Sequence, residues 1–190
     1  MNERESIQAF LEGQAIAPLQ NAARKGDDFT KAGLVPFLRG EKYRFYVMKP
    51  VSRHASLSAA EFQLCKGTRM YLDSAGNWQD MRGGESAEIK ETLAATALRE
   101  GIEELGLKLA NIGRLFDVGP YDFSSASSGK PKRMWMFAAE VIAAEDFLPS
   151  IEVAFTTAGR EWLSLSEFSV AGRPDHHYIL RDIQDKLEKA

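Results

Sequence analysis

With 190 residues, 44% of them hydrophobic and 10% aromatic, the chain carries enough apolar material for one sizeable core and a short appendage. Its 24 basic and 27 acidic side chains leave a net charge of −3, so no overall cationic field recommends a nucleic-acid polymer as partner. A single cysteine, Cys65, excludes an intrachain disulfide framework and a cysteine-rich zinc site and fits a reducing compartment; with neither a signal-like start nor a long apolar run, the expectation is a cytoplasmic protein with no membrane span.

Ile7, Phe10, Leu11, Ile16 and Leu19 recur at helical intervals broken by Gly13 and Pro18, which predicts two short helices in an appendage over residues 1–30. The main domain is expected over residues 31–190. The runs Gly33 to Leu38 and Tyr43 to Met48 flank a Gly-containing turn and predict a β-hairpin, and Glu61 to Cys65 predicts a short strand leading into Lys66-Gly67. Thr68 to Lys90 is rich in Gly, Asp, Ser and Asn without a sustained period and predicts a long loop. Thr92 to Leu105 is the most periodic segment, with Thr92 as cap and Gly106 just past its end, and predicts a helix. Strands follow at about 112–118 and 133–142, joined through Tyr121-Asp122-Phe123 and a loop over Ser124 to Lys132 in which Ser124 to Gly129 reads as a flexible turn; a strand over Glu161 to Leu165 and a helix over Pro174 to Lys189 close the chain. Mixed strands enclosed by helices predict an α/β (α+β) sandwich with a mixed sheet and short N-terminal helices.

The chemistry concentrates in Arg99-Glu100-Gly101-Ile102-Glu103-Glu104-Leu105-Gly106-Leu107. At about 100° per residue, Glu100, Glu103 and Glu104 share one helix face and Ala94, Leu98, Ile102 and Leu105 the other. Like charges three and four residues apart oppose helix formation, so a compensating cation accounts for them, and clustered carboxylate oxygens suit hard divalent ions such as Mg²⁺ or Mn²⁺. The alternative is a solvated acidic face, which Glu often forms. Context favours the first: Arg99 stands immediately before the trio, Glu91 eight positions before Arg99, and Gly106 after it.

The run from Glu91 through Arg99-Glu100-Gly101-Ile102-Glu103-Glu104-Leu105-Gly106-Leu107 resembles the C-terminal two thirds of the Nudix box: Glu, seven residues, then Arg-Glu-apolar-x-Glu-Glu-x-Gly-apolar. Two departures stand out. Gly101 replaces the apolar residue after Glu100, and Glu85 occupies the position where the box glycine should precede Glu91. Gly84 lies one residue off that position; alternatively Lys66-Gly67 supplies the glycine, with an insertion of about 18 residues within Met70 to Lys90, and Phe62 to Gly67, a strand followed by Lys-Gly, favours this version. The resemblance extends over residues 32 to 185 and implies a Nudix-like sandwich.

It further implies a metal site of Glu100, Glu103, Glu104 and the Gly67 carbonyl, holding Mg²⁺ or Mn²⁺, with Arg99 and Glu91 paired to fix the loop against the helix. The implied reaction is attack of water on a phosphorus of a nucleoside diphosphate linked to another moiety, with Glu104, Glu103 or Glu152 as proton acceptor and Glu140 and Glu145 as weaker candidates. Lys66, Arg69 and Arg133 are expected at phosphate, and Tyr121, with Phe123, at a nucleobase, against the alternative that these aromatics are core. The implied partner is a small nucleotide diphosphate derivative, with dinucleoside polyphosphates and ADP-ribose-like compounds both open; a membrane is not expected, and a homodimer is compatible. Adjacent His176 and His177 point apart on a helix and are not expected to bind metal, Lys130 to Arg133 reads as a solvated turn, and Cys65 as a small core residue. Two rival readings are a nucleotide-binding or regulatory domain without turnover, and an interaction module centred on the N-terminal appendage.

Overall fold

The computed structural model describes residues 2–19, 29–50, 61–83, 87–124, 131–143 and 157–190. Strand β2 (Lys31–Leu38) organises them. Its interior is buried throughout, as expected of a strand covered on both faces. One edge of β2 pairs in parallel with β8 (Pro131–Val141), and the other edge is shared between two antiparallel partners. β4 (Cys65–Thr68) takes Lys31 to Leu34, and β3 (Arg44–Pro50) takes Phe37 and Leu38. The hairpin expected from the sequence is therefore present, and β4 is laid beside the start of β2. With β7 (Ile112–Ser124) outside β8 and β9 (Thr157–Leu163) outside β3, the strands form a mixed sheet.

Side chains alternate across this sheet into two apolar layers. Leu34, Cys65, Leu115 and Phe137 pack with Ala97, Leu98 and Leu105 of helix α2 (Leu93–Leu105). Phe37, Phe45, Leu64, Phe116 and Met136 pack on the other face with Phe168 of α3 (Leu165–Ala171) and Ile179, Leu180 and Ile183 of α4 (Pro174–Leu187). The sandwich read from the sequence is observed.

Local departures have local causes. Helix α1 (Glu3–Gly13) starts with an Asn2–Glu5 capping box and buries Ile7, but no second helix follows among the described residues. Instead Ala17–Pro18 (β1) pairs in parallel with Phe116 and Asp117 of β7, whose open edge offers backbone partners next to a helix-breaking proline. Part of the predicted long loop is a hairpin of β5 (Met70–Leu72) and β6 (Trp78–Asp80). The Asp73 carboxylate accepts the amides of Ala75 and Asn77 at 2.9 and 2.8 Å and closes its turn. The sequence places Leu165 at the end of a strand, yet the strand ends at Leu163, because Ser164 and Glu167 form a capping box that starts α3. Helix α2 is bounded as predicted, by the Thr92 side chain on the Ala95 amide at 3.1 Å and by left-handed Gly106.

Gly101, irregular against the box pattern, lies where α2 meets β2: a Cβ there would stand 2.7 Å from Leu34 Cδ2. Leu98, fully buried on the same helix, anchors this seam. Leu98→Ala is expected to lower the unfolding free energy by about 2–5 kcal/mol in urea denaturation, and a loss under about 1 kcal/mol would contradict the packing described.

Candidate active site

The glutamate face of α2 is not the solvated face that composition alone suggests. Glu100 is 9% exposed and Arg99 6%, because β4 lies across this side of the helix. The Glu100 carboxylate sits against the backbone of Gly67 so closely that any Cβ at position 67 would overlap it. One helical turn on, Glu104 Oε2 accepts the Lys66 amide at 3.3 Å. Lys66-Gly67 thus forms the floor beneath both carboxylates. Gly84 and Glu85 lie outside the described residues.

Arg99 holds this arrangement. Its Nε donates to Glu91 Oε1 at 3.0 Å, Nη1 to Glu100 Oε1 at 2.7 Å and Glu103 Oε2 at 2.9 Å, and Nη2 to the Thr68 carbonyl at 2.8 Å. Glu91, 7% exposed, also accepts the Met70 amide at 3.2 Å and the Thr96 hydroxyl at 3.1 Å. Burial opposes the charge on Arg99, but hydrogen bonding to Glu91 and the charges of Glu100, Glu91 and Glu103 outweigh it and hold its pKa above the usual value. The helix, the strand before it and the loop between them are tied at one guanidinium.

The carboxylates carry the electrostatic cost. Burial above all, with Glu104 and Glu103 beside it and Arg99 opposing, pushes the Glu100 pKa up to about 7. Burial likewise raises Glu104, against the pull of Lys66, while Glu103 remains half exposed and turned to Arg99. Among the described residues, no three His, Cys, Asp or Glu side chains are grouped closely enough to hold a metal ion as they stand. The donor chemistry nevertheless suits a hard cation: buried Glu100 and half-buried Glu104 are one turn apart and without enough positive charge to restore their ordinary pKa values. Water and phosphate oxygens commonly complete the shell of Mg²⁺.

The other expected site residues are placed as follows. The Lys66 ammonium lies 3.4 Å from Gln63 Oε1 and 6.0 Å from the centre of the Phe123 ring, its pKa lowered by burial. Arg69, expected at phosphate, is buried with its Nε on the Glu91 carbonyl, a bond that ties the hairpin to the start of α2. Arg133 is exposed, pairs with Asp122 at 3.0 Å and lies over the Phe29 ring. Tyr121, expected against a nucleobase, is buried; it donates its hydroxyl to Asp182 and accepts from Lys186 Nζ at 2.8 Å, linking β7 to α4. Phe123 is core, as the alternative reading had it. Glu140 pairs with Arg39 at the far end of β2, and Glu145, Glu152 and the turn at 125–129 lie outside the described residues.

His176 is fully buried, and its Nδ1 accepts the Leu64 amide at 3.0 Å; burial first, then Lys66, keep the ring neutral. Cys65 is fully buried, its thiol pushed up by burial and by Glu104 and Glu100, so it stays protonated.

Two neighbours of the carboxylates were not singled out in the sequence. Lys31 Nζ donates to Thr68 Oγ1 at 2.9 Å, and its pKa, lowered by burial and by Lys132, is pulled back up by Glu100, Asp80 and Glu104. Arg160 Nε donates to the Glu104 carbonyl at 2.9 Å. Neither residue carries a local signal, since both arrive by strand pairing.

The family model described as NUDIX domain matches residues 62–183, more than half of the chain. The chain belongs to the Nudix family. The match takes in α2, whose run resembles the Nudix box, and the hairpin between Gly67 and Glu91 as well. By sequence, no curated protein matches. Among solved structures, a Caenorhabditis elegans Ap4A hydrolase binary complex is similar with a TM-score of 0.57 and 17% identity, covering 84% of this chain and 98% of that one. The NUDIX domain of Shewanella oneidensis NrtR complexed with ADP ribose has a TM-score of 0.56 at 14% identity and covers 98% and 99%. The Nudix hydrolase RenU of M. smegmatis has a TM-score of 0.53 at 16% identity and covers 92% and 95%. At these identities the likeness is one of fold. Among the described residues, no helix is long and apolar enough to cross a membrane.

A carboxyl group whose pKa is raised on folding, as that of Glu100 is from 4.5 to about 7, binds more protons in the folded than in the unfolded chain between those values. Its contribution is fully present below about pH 4.5 and is lost as pH rises through about 7. In the metal-free protein, Glu100→Gln is therefore expected to raise the Tm relative to the parent more at pH 8 than at pH 5; an equal shift at both would contradict the burial of the charged form.

Proposed function

We propose that the protein is a metal-dependent pyrophosphohydrolase acting on a nucleoside diphosphate linked to another moiety. The observation that carries this reading is the placing of buried Glu100 and half-buried Glu104 over Lys66-Gly67, with Arg99 and Glu91 holding the helix in place. A fold with no use for the site gains nothing from two carboxylates raised above their ordinary pKa.

Glu100 and Glu104 would hold Mg²⁺ or Mn²⁺, with the Gly67 backbone beside them; such an ion neutralises phosphate charge and lowers the pKa of a bound water. Lys31 and Lys66 border the carboxylates and supply positive charge for the diphosphate oxygens. Arg99 orients the glutamates and keeps its own proton. Glu104, beside the Lys66 amide, and Glu103, at the surface, are the described groups proposed to take the proton from an attacking water; Glu152 is the loop alternative. Tyr121 is committed to Asp182, so base recognition falls to other residues.

For substrate, the compounds printed for the similar structures, Ap4A for the C. elegans enzyme and ADP ribose for NrtR, share a phosphoanhydride between a nucleoside and a second group. That shared element is the proposed recognition unit. A second reading, nucleotide binding without turnover, is favoured by the engagement of Glu103 with Arg99 and by the end-to-end match to the NrtR domain.

Incubation with Mg²⁺ and a panel of diphosphate compounds in ¹⁸O-water, followed by mass spectrometry, separates the two. Label in a product phosphate supports hydrolysis, and saturable binding of ADP-ribose without any product supports the second reading. Glu104→Gln is expected to fold and to lower turnover by roughly two or more orders of magnitude; turnover like that of the parent would overturn the assignment.

A further inference from the structure

Helix α1 and the hairpin β5–β6 both lie outside the run Glu91 to Leu107, yet they meet at one guanidinium that touches it. Arg4 of α1 donates through Nη1 to Glu91 Oε1, the same oxygen that accepts Arg99 Nε. Its Nη2 donates to Met70 Sδ at 3.1 Å, and its Cζ stands 4.0 Å from the centre of the Trp78 ring. Met70 and Trp78 belong to β5 and β6. The Arg4 side chain retains 30% exposure, whereas that of Glu91 retains 5%.

Nothing in the folding of α1 itself calls for arginine there. The first turn of a helix favours acidic side chains, as Glu3 and Glu5 illustrate, and disfavours a cation. The compensation is tertiary: a charge-assisted bond to a buried carboxylate and a cation stacked on indole. Arg99, meanwhile, is shared among Glu91, Glu100 and Glu103. Arg99 meets Glu91 through Nε and meets Glu100 and Glu103 through Nη1, so a Glu91 held from its other side by Arg4 fixes the guanidinium plane that aims Nη1 along the carboxylate row.

We propose that Arg4 is a positioning residue for the Nudix box, and that helix α1 and the inserted hairpin form one clamp that fixes Glu91 and, through Arg99, sets the orientation of Glu100 and Glu103. The inference rests on the hydrolytic reading for its kinetic consequence and on the Arg4–Glu91 geometry for its structural one. The N-terminal segment is then part of the catalytic unit, and its loss would be felt as misplaced carboxylates more than as lost affinity for substrate.

The test compares Arg4→Met, which keeps the length and apolar stem, with Arg4→Lys and with Leu187→Ala, a core change in α4 that lowers stability away from the box. In Arg4→Met, kcat is expected to fall by about 5- to 50-fold while KM stays within about 2-fold, with partial recovery in Arg4→Lys. Amide hydrogen exchange, read without metal or substrate, is expected to quicken over residues 91–100 in Arg4→Met and not in Leu187→Ala. An unchanged kcat in Arg4→Met, or an equal fall in Leu187→Ala, overturns the proposal. If the parent protein hydrolyses no diphosphate, the hydrolytic reading fails; faster exchange confined to 91–100 still supports the clamp, and unchanged exchange overturns it.

Discussion

A guanidinium offers five donors in a rigid plane, and Arg99 spends them on two carboxylates of its own helix, on Glu91 at the helix approach and on the Thr68 carbonyl at the end of β4. Its position inside the protein makes these bonds consequential. An unpaired Glu91 in so dry a place would be strongly destabilising, so the groups that satisfy it, Arg99, Arg4, Thr96 and the Met70 amide, cannot drift. The path of the chain from β4 through the hairpin to α2 follows from this requirement.

Glu100 and Glu104 are held at the same place by opposite means. Arg99 and the Lys66 amide draw them against β4, while burial and their mutual repulsion resist ionisation. The arrangement is tolerable because the rest of α2 is firmly seated by Ala97, Leu98 and Leu105. A well-packed apolar face thus supports a polar face that is unfavourable for folding alone, a common relation between a scaffold and a site that has work to do. Gly67 and Gly101 serve this compromise from two sides, one admitting the Glu100 carboxylate against a strand and the other letting the helix close on Leu34.

The legible parts of the sequence were those whose signals are local or periodic. Helix α2 announced itself by Thr92, its apolar spacing and Gly106, and the Arg99–Glu91 pairing followed from the box it resembles. The hairpin β5–β6 had a local signal in Asp73 and Gly76 that the surrounding polarity obscured, and α3 had one in Ser164 and Glu167 that a strand reading absorbed. Tyr121 was different. Its aromatic ring is compatible with stacking or with core, and only Asp182 and Lys186, 61 and 65 residues away in sequence, decide between them.

By itself the sequence determined the alternation that makes a two-sided sheet, the bounds of the carboxylate helix, and the spacing that places Glu100 and Glu104 one turn apart. These depend on neighbours within a few residues, whose geometry the backbone period sets. The tertiary structure alone decided that Glu100 is buried beneath β4, that Lys31 and Arg160 stand beside the glutamates, that Arg69 and Tyr121 serve packing, and that Arg4 reaches Glu91 across the chain. Each of these depends on strand order or helix docking. A side chain's charge and reach are written in its own position, but the partner that gives them a role is chosen by the fold.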